Sequence, residues 1–145
     1  MIKLSDVLTI GQNAMIRRTV QKSDTAASYS NNLAELLATP PCVDMAIKAS
    51  IETVDKFLPD ELISIVIAVQ FAHRDTTSLG MTVTVKTTII AIDDEKHEID
   101  LKIEIWDEQG EVGTGLIKRK VANTRALVKK AKERTTLLIN RQFPR

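Results

Sequence analysis

The chain has 145 residues, of which 43% are hydrophobic and one is a cysteine, and its net charge is +1. A single domain of this length can bury a core without disulfides, and the composition excludes a disordered or disulfide-rich class. Aromatic residues make up only 3% of the chain, which argues against the base stacking used by single-stranded nucleic-acid binders. A lone Cys42 cannot form an internal disulfide, so we expect a reducing, cytoplasmic compartment.

The ends of the chain carry opposite charge. From Lys118 onward there are ten basic residues and one acid, Glu133, a net charge of +9, which leaves −8 for the first 117 residues because the whole chain carries +1. A basic end can attract nucleic acid, a membrane surface or nucleotide phosphates, or it can be a solvated helix face. The most apolar stretch, Leu62–Val69, is too short to cross a bilayer, and we expect no membrane partner.

The first half of the chain predicts one strand and one long helix. The strand covers Ala14–Val20, and Ser23-Asp24 can cap a short helical turn. Thr39 can be the N-cap of the helix, the prolines after it fit a first turn, and Pro59 ends the helix after Leu58. One face of this helix is predicted to be buried at helical spacing, and it consists of Val43, Ile47, Ser50, Ile51 and Val54.

The second half predicts four strands and a closing helix. The first strand is apolar on both faces, as in a covered central strand, and Ile99, Leu101, Ile103 and Ile105 alternate inward in the third. The strands are Leu62–Phe71, Thr82–Ile92, Glu98–Ile105 and Glu111–Val121, and the helix is Thr124–Leu138. We read the strands as an antiparallel meander.

A long helix that is apolar nearly all round requires a sheet wrapped over it. The predicted fold class is therefore α+β: a hot-dog fold, with an antiparallel sheet around the central helix and a C-terminal helix, in one domain over residues 1–145. Such a sheet leaves an exposed edge, which two subunits can cover by pairing. We expect a homodimer, with a tetramer as the larger alternative.

Three segments resemble fluoroacetyl-CoA-type thioesterases of the hot-dog superfamily. They are Thr19–Tyr29, Leu36–Pro40 before the central helix, and Val69–His73 followed by Gly80-Met81-Thr82-Val83-Thr84-Val85. The resemblance extends from about Leu8 to Ala122, and it rests on the order and spacing of the segments together. It implies activity on acyl-CoA thioesters, with coenzyme A as part of the substrate and no separate cofactor.

The resemblance also implies a catalytic Thr, a Glu on the central helix and a His. Thr39 matches the Thr and His73 the His, whereas the Glu position falls on Ile47. Isoleucine can serve neither as nucleophile nor as general base, so we assign Ile47 to substrate binding. Asp44, about one turn earlier on the helix, is a candidate replacement, with a solvated first-turn acid as the alternative.

Other residues are weaker candidates for binding substrate. Gly113 and Gly115 predict close backbone approach or a bulge, which can leave room for an acyl chain or pantetheine arm. Gly80 suits the turn into the next strand. Arg119 lies in a basic run that can bind coenzyme A phosphates. Cys42 is more consistent with a small buried hydrophobe than with a nucleophile, and no metal-ligand cluster is apparent.

These observations leave three hypotheses for function. The first is a thioesterase that hydrolyses, or at least binds, an acyl-CoA thioester. The second is a catalytically degenerate hot-dog protein that binds acyl-CoA or another ligand without hydrolysis, and Ile47 favours it. The third, a nucleic-acid binder that uses the basic end, is the least favoured because aromatics are few and no recognition motif is present.

Overall fold

The computed structural model describes residues 1–143 and has the expected α+β architecture, an antiparallel sheet with one helix packed against it and a second helix at the C-terminal end. Short 3₁₀ turns lie before and after the first of these helices. The elements in chain order are β1 (Asn13–Thr19), α1 (Thr39–Val54), β2 (Leu62–His73), β3 (Thr82–Asp93), β4 (Glu98–Asp107), β5 (Gly110–Asn123) and α2 (Thr124–Gln142).

Within residues 1–143 the sheet has five strands in the order β1-β3-β4-β5-β2. The predicted four-strand meander is therefore wrong in one respect, because β2 pairs with β5 and not with β3. The chain passes from β2 to β3 across one end of the sheet. Strand β2 was also predicted to be central, but it lies at an edge, and its Ile67 and Val69 side chains remain 45% and 38% exposed.

The core lies between one face of the sheet and α1. The predicted inward residues of β4 are at most 1% exposed: Ile99, Leu101, Ile103 and Ile105. On β3 the simple alternation breaks at an irregularity between Ile89 and Ala91, because an extra residue in one strand reverses the faces that follow. The core is aliphatic, as the low aromatic content predicts.

The buried face of α1 differs from the predicted face. Ser50 and Val54 are buried as expected, but Ile51 is 39% exposed. The side chains that contact the sheet are mostly small, which lets the helix approach it closely, and they are Cys42, Met45, Ala46, Ala49, Ser50, Thr53 and Val54. A prediction based mainly on the spacing of large aliphatic residues therefore identifies the side of α1 next to the buried face.

The boundaries of both helices also differ from the prediction. The N-cap of α1 is Ala38, so Thr39 is the first helical residue and its hydroxyl does not cap the helix. Helix α1 ends at Val54, and a short 3₁₀ turn continues to Phe57. Helix α2 continues to Gln142, and the Asn123 side chain caps its start by accepting the Ala126 N–H at 3.0 Å.

Among the described residues, no helix combines the length and the apolar character needed to cross a membrane.

Candidate active site

The Thr39 hydroxyl and the His73 imidazole meet where α1 begins and β2 ends. Thr39 Oγ1 lies 2.8 Å from His73 Nδ1. Two main-chain hydrogen bonds hold the chain just before α1, one from Ala38 N to Asp24 O and one from Leu37 N to Thr77 O, each 2.9 Å long. Thr39 is therefore presented by an anchored helix start rather than by a free loop.

The imidazole of His73 is held by its neighbours in the sheet. His73 pairs with Gly113 of β5, and the Phe71 ring, two residues earlier on β2, lies 6.0 Å from the imidazole ring centre to centre. A side chain at Gly113 would place its Cβ 2.5 Å from the Phe71 ring. The glycine therefore leaves the space that the phenyl ring fills, and the ring supports one side of the histidine.

An open cleft of about 420 Å³ borders this pair. Thr39, His73 and Thr76 contribute polar side chains. Apart from Tyr29, the other lining side chains are aliphatic, among them Ala26, Leu33 and Leu36. Leu33 and Tyr29 are 40% and 69% exposed, so they form an accessible rim. An apolar recess with a few convergent polar groups is the usual form of a small-molecule site.

The protonation of His73 suits a proton acceptor. Burial lowers the pKa of His73 below its ordinary value, and the nearby Asp75 opposes this shift only in part. The imidazole is therefore mostly neutral at pH 7. A neutral ring can accept the Thr39 hydroxyl proton at Nδ1, which leaves the Thr39 oxygen as the more nucleophilic partner and the better hydrogen-bond acceptor.

A family model described as the fluoroacetyl-CoA-specific thioesterase FlK matches residues 20–125. This span covers most of the domain, including Thr39, His73 and the cleft between them. The chain belongs to the FlK family of thioesterases. It is therefore a thioesterase-like protein that hydrolyses or binds an acyl-CoA thioester, as the resemblance implied.

Solved structures agree with this assignment at the level of the fold. A hot-dog-like protein of Thermanaerovibrio acidaminovorans superposes with a TM-score of 0.86 at 25% identity, over 92% of this chain and 97% of that one. A point mutant of the fluoroacetyl-CoA thioesterase FlK in complex with acetyl-CoA gives a TM-score of 0.78 at 19% identity, over 88% of this chain and 99% of that one. A thioesterase superfamily member of Thermus thermophilus gives 0.77 at 20%, over 90% and 97%. No curated protein sequence matches the chain.

The structure does not bring Asp44, the candidate replacement for the helix Glu, to the pair formed by Thr39 and His73. Asp44 pairs with Lys48 at 2.9 Å and with Arg18 at 3.4 Å. These cations lower the pKa of Asp44, chiefly through the hydrogen bond from Lys48. Asp44 borders a different cleft, which contains neither Thr39 nor His73. Ile47 lies half-buried on the flank of α1 against the core.

The three predicted glycines of this FlK-family chain have separate roles in the structure. Gly80 adopts a φ of +90° in the turn that leads into β3, which only glycine adopts readily. Gly113 and Gly115 lie where β5 approaches β2 closely, as predicted. The Phe71 ring occupies the space beside Gly113, and a side chain at Gly115 would collide with the Gln70 carbonyl. The room predicted there for an acyl chain is thus filled by protein.

Arg119 does not fit the predicted phosphate contact, because it is only 3% exposed. Its guanidinium donates to Ser64 Oγ at 2.7 Å and to Ser50 Oγ at 2.9 Å. Strand alternation turns this residue inward and its neighbours Lys118 and Lys120 outward. Cys42 is fully buried, and burial raises the pKa of its thiol to about 12. The small-hydrophobe interpretation of Cys42 therefore fits better than an acyl-cysteine route.

Sequence reasoning missed Phe71 and the apolar rim residues Leu33 and Tyr29. A signal for Phe71 was available, because an aromatic two residues before His73 shares its face of the strand. No comparable signal existed for Leu33, which lies in an irregular segment where spacing does not fix direction.

Proposed function

We propose that this FlK-family chain hydrolyses an acyl-CoA thioester in the cleft beside Thr39. The observation that carries this proposal is the 2.8 Å contact between Thr39 Oγ1 and His73 Nδ1. A hydroxyl paired with a neutral imidazole, next to an apolar recess, provides a proton path and a place for an acyl group. We expect an uncharged acyl group, because the lining between Ala26 and Leu36 offers apolar surface and no cation for a carboxylate.

In the proposed reaction, a water molecule attacks the thioester carbonyl. Its proton passes to Thr39 Oγ1 while the Thr39 proton passes to His73 Nδ1. When the tetrahedral intermediate collapses, the C–S bond breaks and the coenzyme A thiolate leaves. The proton held by His73 then returns to the thiolate, so the acid and the free thiol are the products. His73 accounts for general-base catalysis, typically 10²–10⁴-fold.

The second candidate is a ligand-binding protein that does not hydrolyse the thioester. Ile47, at the position of the family's helix carboxylate, favours it. In this case the Thr39 hydroxyl and the apolar cleft would still hold a thioester. Coenzyme A esters would then raise the melting temperature without being consumed.

We also propose that the chain acts in the cytoplasm as a homodimer paired through β2. This strand is a twelve-residue edge, Leu62–His73, with Ile67 and Val69 exposed. Long apolar edges are normally covered, and a second copy supplies a strand of the same character. Pairing would turn β2 into the central strand that its sequence predicts. A tetramer would need a further contact surface.

The test is thiol release from a panel of short, branched, aromatic and long acyl-CoA esters by the purified chain. We expect turnover above background, and at least a 100-fold loss in His73→Ala. His97→Ala is the matched control, because His97 is the other histidine of the chain and lies in the β3–β4 turn. Light scattering on each variant checks that the oligomer is unchanged. Undiminished turnover in His73→Ala would contradict the assignment, and binding without turnover would favour the second candidate.

A further inference from the structure

Helix α2 is a charged element that the proposed reaction does not use. It carries six cations, Arg125, Lys129, Lys130, Lys132, Arg134 and Arg141, against the single acid Glu133. Every residue from 128 to 142 is exposed. The start of α2 continues directly from β5 and is held to the domain by a 3.0 Å hydrogen bond from Thr124 N to Glu61 O.

One side of helix α2 carries no charged side chain. At about 100° per residue, a sector of roughly 120° along the helix contains no charged side chain, and the cations lie on both of its borders. Lys130, Arg134 and Arg141 follow one border, and Lys132 and Arg125 follow the other. The members of this uncharged sector are Thr124, Leu127, Val128, Ala131, Thr135, Leu138, Ile139 and Gln142.

Apart from the half-buried Leu127, the side chains of the uncharged sector are exposed, and most of them are apolar. Val128, Leu138 and Ile139 are 47%, 54% and 51% exposed. The Thr135 hydroxyl donates to Ala131 O at 3.1 Å, so its polar group is satisfied within the helix. An apolar stripe bordered by cations on both sides is the pattern of helices that lie in a lipid interface.

We propose that α2 docks on an anionic lipid surface, with the uncharged sector facing the acyl boundary and the bordering cations contacting lipid phosphates. Two copies of α2 would each bring a net charge of +5 and repel, which disfavours contact between them. Nucleic acid would match the cations but would leave the apolar stripe unexplained. The proposal departs from the expectation of no membrane partner, which rested on the lack of a bilayer-spanning stretch and not on an interfacial helix.

The experiment is co-sedimentation of the full chain with vesicles. We compare phosphatidylglycerol and phosphatidylcholine mixed 1:1 with pure phosphatidylcholine, in about 0.1 M salt. Binding to the anionic vesicles should be at least about tenfold tighter and should weaken strongly at about 0.5 M salt. Removing three cations, Lys130→Gln with Arg134→Gln and Arg141→Gln, should weaken it about 10- to 100-fold. The matched control removes three exposed lysines elsewhere, Lys3, Lys22 and Lys96, and should leave binding nearly unchanged.

A second pair of variants tests the apolar stripe. Leu138→Gln with Ile139→Gln should weaken vesicle binding several-fold, whereas Thr136→Gln with Asn140→Gln, outside the uncharged sector, should not. All these positions are exposed, so folding is not at risk. The proposal is overturned if the chain ignores anionic vesicles, or if the stripe variants bind like the parent. It also fails if they instead change the oligomeric mass, which would assign the stripe to a second copy, or if duplex DNA binds more tightly than the vesicles.

Discussion

Polar contacts fasten both ends of α1 to β2, but the two contacts differ in how completely their atoms are paired. Near the C-terminal end, Arg119 links Ser50 of α1 to Ser64 of β2 through three hydrogen bonds of 2.7–2.9 Å. At the N-terminal end, Thr39 and His73 share one contact, and within residues 1–143 His73 Nε2 has no hydrogen-bond partner. The first contact is a satisfied structural network, whereas the second retains capacity for chemistry.

Replacing Arg119 with Met should have the largest effect, a loss of stability through the hydrogen-bond network near the C-terminal end of α1. The substitution leaves the Ser64 carbonyl without its buried donor and removes the cation near Asp55, so the free energy of unfolding should fall by about 2–4 kcal/mol. Urea denaturation followed by circular dichroism measures this. Lys120→Met is the matched control, because Lys120 is the next residue on β5 and is exposed.

One result would contradict a purely structural role for Arg119. If Arg119→Met kept its stability but lost affinity for coenzyme A, Arg119 would belong to the binding site after all, as the sequence suggested. The structure argues otherwise, because Ser50 and Ser64 already occupy the guanidinium.

Much of the fold follows from the sequence, for a physical reason. Strict alternation in β4 fixes which side chains face the core, and all four predicted inward residues are buried. The strand that pairs with β2 was not predictable in the same way, because the apolar sequence of β2 fits either a central strand or an edge strand that a second copy covers. Periodicity states which face is apolar, but not which strand lies beside it.

The candidate site was predictable only in part. Spacing and resemblance identified Thr39 and His73, and the structure brings them together. Asp44 was misjudged because one helical turn was taken as proximity, while Arg18 and Lys48 hold its carboxylate elsewhere. Arg119 was misjudged because its basic neighbours suggested a surface, although strand alternation turns it inward.

Thr39→Val should have the next largest effect, a loss of activity at the contact between Thr39 and His73. Valine keeps the shape of threonine but removes the hydroxyl that contacts His73, so kcat/KM should fall about 10- to 100-fold. Thr39→Ser retains the hydroxyl and should stay within a few-fold of the parent. Steady-state thiol release with the best ester of the panel measures both. If the valine variant kept full activity, the contact with His73 would be structural, like the contact at Arg119.

Ile47→Glu tests whether a carboxylate at this position increases the activity of the Thr39–His73 pair. If a carboxylate at this position reaches the thioester, turnover should rise at least about tenfold, since a well-placed general base typically contributes 10²–10⁴-fold. Ile47→Gln is the matched control, because it has a similar shape without the charge. Equal rates in the two variants would mean that an acid at this position adds nothing to the Thr39–His73 pair.

The pH dependence should give the smallest effect, but it reports directly on His73. Burial lowers the pKa of His73 from 6.5, and the nearby Asp75 partly offsets the shift. Because the reaction needs the neutral ring, kcat/KM should rise with pH through a midpoint below 6.5 and then level off. Asp75→Asn removes the negative charge that stabilises the protonated ring, so the midpoint should move to still lower pH. A midpoint above the ordinary histidine value, or an upward shift in Asp75→Asn, would show that another group controls the acid limb. The contact between His73 and Thr39 would then have only a structural role, like the network around Arg119.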